Sequence, residues 1–280
     1  MWFLNPEKTV SQVGSGFFMD RDKQPLSDFE RQFYQRNILV PEIGETGQME
    51  LLRSRVLVIG AGGLGSPALF YLAVSGIGEI GIADGDRVEV SNLQRQILHG
   101  IEDVGKEKTV SAAETLRKIR PDIGLNLYPV RLTEENADEV VSRYDFVIEA
   151  TDNFQSKFLI NDSCVRTGRP YSHAGILGMF GQTMTVVPGE SPCYRCVFQR
   201  PPEPGKVKST SEAGVLGTVP GVLGPIQATE AIKFILGMES LLTGRLLTFN
   251  ASEMTFREVK LPPDKRCKVC GLNKRHQSPD

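Results

Sequence analysis

The sequence predicts an α/β fold built as a doubly wound, Rossmann-like sheet, mainly parallel, with an antiparallel C-terminal extension. Three observations carry that expectation. From Arg55 to Glu149 short apolar runs alternate with segments of helical period, the rhythm of a parallel sheet with helices on its faces. A turn of pattern Gly60-x-Gly62-x-x-Gly65 joins the first such run to a helix. The last two apolar runs follow one another without room for a crossover helix, which makes them antiparallel neighbours.

Residues 1–27 carry Pro6, Gly14, Gly16 and Pro25 without a sustained period and read as a loosely ordered N-terminal extension. Ser27, with Glu30 three residues on, has the capping-box spacing that starts a helix. Val56-Leu57-Val58-Ile59 is continuously apolar, as expected of a parallel strand buried on both faces. A helix through Leu69, Phe70, Leu72 and Val74 comes next, and residues 80–83 read as the second strand. Residues 108–119 have helical period, residues 125–130 and 145–149 read as strands, and residues 158–165 as helical. In the second half, residues 182–187, 246–250 and 255–260 read as strands, with a helix over residues 225–236. Residues 198–213, with Pro201, Pro202, Pro204 and Gly205, read as a long mobile loop, of a length that is usually functional or disordered.

Charged residues make up 24% of the chain and the formal net charge is −2, which gives no reason to expect nucleic acid or an anionic membrane as partner. The apolar start Trp2-Phe3-Leu4 is broken at once by Asn5, Pro6 and Glu7, too soon for a signal-peptide core. No stretch approaches a membrane span. A soluble, cytoplasmic protein is expected.

The glycine turn, Gly63 included, lets the backbone approach a phosphate, and the helix N-terminus behind it adds favourable partial charge. Asp84, closing the second strand, is placed for ribose hydroxyls. These residues suit an NAD site as well as an ATP site. Beyond them come Asp86, the run Ser91-Asn92-Leu93-Gln94-Arg95-Gln96, and Lys108. A dehydrogenase needs no second set of cations there. A triphosphate cleaved between its α and β phosphates does, because charge builds up on the departing pyrophosphate. Asp152, in Ala150-Thr151-Asp152-Asn153, closes another buried strand and faces the same crevice. It is placed either to hold Mg²⁺ or to cap the helix that follows.

Five cysteines are present, four of them as Cys193-x-x-Cys196 and Cys267-x-x-Cys270. Without an export signal this spacing points to metal rather than disulfides. Two thiolate pairs that meet in space form a closed tetrahedral site, the arrangement of structural zinc, with no open position for catalysis. Two separate redox pairs are the alternative. Cys164 reads as a small buried hydrophobe. His99, His173 and His276 do not cluster at metal spacing, and none is assigned a catalytic role.

Taken together, GAGGLG (60–65), SNLQRQ (91–96), VGKEK (104–108), ATDN (150–153), CYRC (193–196) and CKVCG (267–271) form an ordered set. In order and spacing this set resembles the ubiquitin-activating-enzyme-like ThiF/MoeB/HesA adenylyltransferases. The resemblance covers residues 28–272, taken as one adenylating domain, with a polar tail over 273–280. It implies that ATP activates the C-terminal glycine carboxylate of a ubiquitin-like sulfur-carrier protein ending in Gly-Gly. The product is an acyl-AMP, for sulfur transfer of the thiamin or molybdenum cofactor type. Asp84 would bind ribose, Asn92, Arg95 and Lys108 the phosphates, and Asp152 Mg²⁺. Asp86, Gln96 and Asn153 would complete the nucleotide site. Arg36 matches a family arginine that reaches the ATP phosphates of the partner subunit, which implies a homodimer. The family usually has Gln where this chain has Asn37.

Some members of that family carry a cysteine in the long loop where this chain has Thr210. A hydroxyl with no base beside it is a weak nucleophile, so the chemistry on this chain is expected to stop at the acyl-adenylate. The alternatives are an NAD-dependent oxidoreductase and a non-catalytic nucleotide-binding scaffold. The cations after Asp84 argue against the first, and the intact set Asp84, Arg95, Lys108 and Asp152 against the second.

Overall fold

Ser27 starts α1 (Asp28–Phe33) as its spacing to Glu30 predicts: its Oγ accepts the Glu30 amide, and the Glu30 carboxylate accepts the Ser27 amide. Next come α2 (Gln35–Ile38) and α3 (Gly44–Arg53), with Leu26, Tyr34 and Leu52 packed as a small cluster. The structure, a computed structural model, describes residues 25–203, 206, 210–264 and 266–271. The sequence before Pro25 and the tail expected over 273–280, including His276, lie outside these residues.

Eight strands form one sheet in the order β3-β2-β1-β4-β5-β6-β7-β8. They are β1 (Arg55–Ile59), β2 (Glu79–Ala83), β3 (Gly124–Tyr128), β4 (Phe146–Glu149), β5 (Tyr171–Leu177), β6 (Phe180–Val186), β7 (Arg245–Asn250) and β8 (Thr255–Lys260). The pairs from β3 across to β5 are parallel, and those from β5 across to β8 are antiparallel. The expected mainly parallel sheet with an antiparallel C-terminal extension is what forms.

The remaining helices are α4 (Gly65–Ser75), α5 (Lys108–Ile119), α6 (Ala137–Val141), α7 (Phe154–Thr167), α8 (Tyr194–Val197), α9 (Thr210–Ala213) and α10 (Thr218–Ile235). Because side chains alternate across a strand, each central strand feeds two cores. Val56, Val58, Ile80 and Ile82 pack with α4, α5 and α10 on one face. Leu57, Ile59 and Val147 pack with α6 and α7 on the other. Truncating a fully buried leucine of this kind to alanine costs about 2–5 kcal/mol, so the sheet centre tolerates little change. No helix among the described residues is long and apolar enough to cross a membrane.

Several elements differ from the sequence reading: α6, α8 and α9 were not named in it, and α9 closes the stretch read as a loop over residues 198–213. β5 was anticipated only as a strand-like segment ahead of His173; it runs on through Leu177, and Ser172 and His173 within it are both buried. The last long helix begins at Thr218 rather than at Pro225, which sits inside it. Two prolines and two glycines between residues 220 and 225 lower helix propensity there. Tertiary packing overrides that cost: Val219 and Leu223 are fully buried in the core shared with α4.

Candidate active site

Strand order reverses between β1 and β4, and the crevice outside their C-terminal ends is where open α/β sheets bind ligands. Gly60, just after β1, has a φ of 102°, and a Cβ there would lie 2.6 Å from the Ala150 carbonyl oxygen after β4. Glycine is required for both the φ and the approach. At Gly65 a Cβ would lie 1.8 Å from the Gly60 carbonyl oxygen, so this glycine lets α4 pack on the turn. Gly60, Gly62 and Gly63 line the cavity; Gly65 does not. Asp84 fixes the turn, its two carboxylate oxygens accepting the Ala61 and Asp86 amides at 2.8 Å each.

His99 braces the turn from behind, with Nε2 3.0 Å from the Ala61 carbonyl oxygen and Nδ1 2.8 Å from Ser111 Oγ. A carbonyl only accepts, so Nε2 donates. Burial holds His99, and likewise His173, below the ordinary imidazole value of 6.5. A base depressed in this way contributes stability that is fully present above its unfolded value. That stability is lost as pH falls through the folded-state value, because the unfolded chain takes up the proton first. Calorimetry should therefore show the melting temperature falling between about pH 7 and pH 5, and less steeply in His99→Gln. Equal slopes for the two proteins would remove this role from His99.

Lys108, first in α5 and buried, places Nζ 3.2 Å from Asp86 Oδ2 and 3.9 Å from Asp84 Oδ2. Arg131, which the sequence reading missed, donates to Asp86 Oδ1 at 2.8 Å. That hydrogen bond first, and then Lys108 acting against burial, hold the Asp86 carboxyl below its ordinary value. Arg95 and Gln96 also line the cavity, with Arg95 Nη1 donating to the Ser91 carbonyl at 2.9 Å. Asn92 is not among the lining residues; its Oδ1 accepts the Glu89 amide at 3.2 Å and closes a single 3-10 turn over Val90–Asn92. Arg36 is exposed on α2 and does not line the cavity of its own chain.

The two readings of Asp152 separate here. Asn153, not Asp152, caps α7, its Oδ1 accepting the Ser156 amide at 2.8 Å. The Asp152 side chain stays exposed at the cavity edge. A second hollow of about 960 Å³ shares Thr151, Asp152, Asn153 and Ile176 with the first and runs over β5, β6 and β7. Its volume lies at the upper end of the range for small-ligand sites. Beneath the shared residues, Glu149 is buried with Lys157 and His173, and Lys157 Nζ lies 3.0 Å from Glu149 Oε2. Burial alone would raise the Glu149 carboxyl; the Lys157 charge and hydrogen bonds from His173 and Thr151 hold it well below the carboxylate range. A charged residue closing the otherwise apolar run Phe146-Val147-Ile148 was the available signal for this cluster.

Residues 34–269 match the ThiF family over most of the chain. The chain belongs to the ThiF family. Among its relatives, a sulfur carrier protein adenylyltransferase of Thermus thermophilus is 45% identical over 85% of this chain and 90% of its own. A SAMP-activating enzyme E1 of Haloferax volcanii is 47% identical over 85% of this chain and 88% of its own. The crystal structure of E. coli MccB with ATP superposes with a TM-score of 0.76 at 26% identity, covering 88% of this chain and 76% of that one.

Within this ThiF-family chain the two Cys-x-x-Cys pairs meet as expected. Sγ separations are 3.9 Å for Cys193 and Cys196, 3.7 Å for Cys193 and Cys267, and 3.5 Å for Cys196 and Cys270, with all four sulfurs within 4.8 Å of one another. Zinc–sulfur bonds of about 2.3 Å set sulfurs about 3.8 Å apart at the corners of a tetrahedron. The cluster therefore fits a zinc ion with all four positions filled by protein. The ThiF-family fold ties this cluster to α7. Arg195 forms two bonds of 2.7 Å to Asp162 and lies 4.7 Å over the Phe158 ring. Tyr194 packs against His173 with ring centroids 4.5 Å apart.

Proposed function

We propose that this chain is an ATP-dependent adenylyltransferase that activates the C-terminal glycine carboxylate of a ubiquitin-like sulfur-carrier protein as an acyl-AMP. One observation carries the reading: a nucleotide-type cavity and a long groove meet at Thr151, Asp152, Asn153 and Ile176. A carrier tail ending in Gly-Gly, laid along the groove, would deliver its carboxylate to that meeting point.

The carboxylate is already ionised, so no general base is needed. One of its oxygens attacks the α-phosphorus, and the bond from that phosphorus to the bridging oxygen breaks. Pyrophosphate leaves with the electron pair. Arg95 and Lys108 are assigned to the charge that grows on it, and in-line positioning supplies much of the rest. Asp84 is assigned to the ribose. Asp152 is assigned as a ligand of Mg²⁺, which when bound neutralises phosphate charge. The four cysteines are assigned to structural zinc, and cysteines outside disulfides together with ATP use favour the cytoplasm. Arg36, exposed and outside its own cavity, supports a homodimer in which it reaches the partner's phosphates. An NAD site would leave Arg95 and Lys108 without a task.

Magnesium-dependent ATP–pyrophosphate exchange that requires a carrier with a free C-terminal glycine tests the reading; no exchange with any such carrier would sink it. The same assay addresses the end point of the chemistry. The Thr210 side chain lies outside the described residues. Cys164, the thiol outside the four-cysteine cluster, is fully buried, and burial first, then Glu149 and Asp138, push it well above the ordinary thiol value. Cys164→Ala is therefore expected to exchange at the wild-type rate, with no thiol-sensitive carrier conjugate on a non-reducing gel. A conjugate abolished by that substitution would make Cys164 an acceptor.

A further inference from the structure

Lys157 and Glu149 are 7% and 1% exposed, and the reaction as written uses neither. Replacing a buried ion pair by apolar groups of the same shape is often neutral or favourable, so stability alone does not account for this one. Their hydrogen bonds do. The Lys157 ammonium has three donors. They go to the Glu149 carboxylate at 3.0 Å, the Thr151 carbonyl at 2.7 Å and the Ala174 carbonyl at 2.6 Å. None is left for a ligand. Glu149 in turn accepts the Thr151 amide at 2.8 Å, the Thr151 hydroxyl, and His173 Nδ1 at 2.7 Å.

Both backbone groups of Thr151 are thus held by the pair, just where the sheet gives out. The Ala150 amide still donates to the Ile59 carbonyl at 2.9 Å. Asp152 comes next, and Asn153 after it is fixed as the cap of α7. Asp152 is clamped on both sides, by the buried pair before it and the helix cap after it.

We propose that Lys157 and Glu149 are positioning residues for Asp152: the buried pair holds Thr151 so that the Asp152 carboxylate meets the magnesium–nucleotide complex in a single orientation. This rests on the magnesium role assigned to Asp152 above. Lys157 also lines the second hollow, but its three donors are spent within the protein, so the pair is assigned to holding Thr151.

The paired variant Glu149→Gln with Lys157→Met removes both charges and keeps the shape. It is expected to unfold cooperatively near the wild-type temperature. Half-maximal pyrophosphate exchange should need about 10- to 100-fold more Mg²⁺, the range seen when an outer-shell partner of a metal ligand is lost. Asp152→Asn alone should raise the requirement at least as far. Adding it to the paired variant should cost little more, since groups that act through one carboxylate are not additive. If Asp152→Asn shifts the magnesium response and the folded paired variant does not, the proposal is overturned while the role of Asp152 stands. Full additivity overturns it too. If Asp152→Asn shifts nothing, the magnesium role fails and the proposal fails with it. Should the paired variant not fold, Glu149→Gln alone decides, because it keeps the shape and one acceptor; an unshifted response then overturns the proposal.

Discussion

Lys108→Ala is expected to slow ATP–pyrophosphate exchange by about 100- to 1,000-fold, the cost of losing one preorganised group aimed at developing charge. Arg95→Ala should act in the same direction. ATP affinity should change much less in both, because the charge to be stabilised grows only as pyrophosphate departs. The structure supports a larger effect at Lys108. Its ammonium is buried between Asp84 and Asp86 at 3.9 and 3.2 Å, so its position is set before ATP arrives. Arg95 is half-buried, lines the cavity and is anchored to the Ser91 carbonyl by one nitrogen. Equilibrium binding of ATP, measured beside exchange rates, separates the two effects. Near-wild-type exchange in both variants would falsify the assignment.

Removing both Cys267 and Cys270 should release about one zinc per chain and lower the melting temperature by roughly 6–20 °C. That range takes the metal as a cross-link worth roughly 3–5 kcal/mol, at roughly 2–4 °C per kcal/mol for a domain of this size. The loss should be felt unevenly. The cysteine cluster sits on α8, which docks on α7 through Arg195 and Asp162 and presents Tyr194 to His173. The glycine turn and Lys108 belong to β1, α4 and α5, on the other side of the sheet's reversal. Carrier-dependent exchange should therefore fall further than ATP binding. Full zinc content in the double variant, read by elemental analysis, would refute the four-sulfur site.

The parallel half of the sheet and the cysteine cluster were legible because their signals are local: apolar runs of strand length, a glycine turn, Cys-x-x-Cys spacing. β5 was only partly legible, because its polar residues Ser172 and His173 are buried only through tertiary packing. Ser172 offers its carbonyl to Gln227 and His173 its ring to Glu149, from segments far away in sequence. The start of α10 was hidden for a related reason, since packing on α4 outweighs two prolines and two glycines. In the site, the sequence placed Arg95, Lys108, Asp84 and Asp152 around one cavity but had no means of dividing the work within Asp152-Asn153. Only the cap geometry gives Asn153 the helix, with the Asp152 side chain left exposed at the cavity edge. Lys157 was overlooked because a lone lysine in a helical stretch looks like surface until the fold closes over it, and Arg131 because it stays exposed and only its hydrogen bond to Asp86 ties it to the site.

The cysteine cluster also has a bearing on timing. Cys193 and Cys267 are 74 residues apart in the chain, and α10, β7 and β8 lie between the two pairs. At ribosomal speeds of about 5–20 residues per second, roughly 4–15 s pass between synthesis of the first pair and the second. During that interval Cys193 and Cys196 offer a metal only half a coordination sphere. The site can close only after the strands that carry the groove have been made and returned to the sheet. A metal held by all four sulfurs would therefore be taken up late in the birth of the molecule, after the second pair has been made.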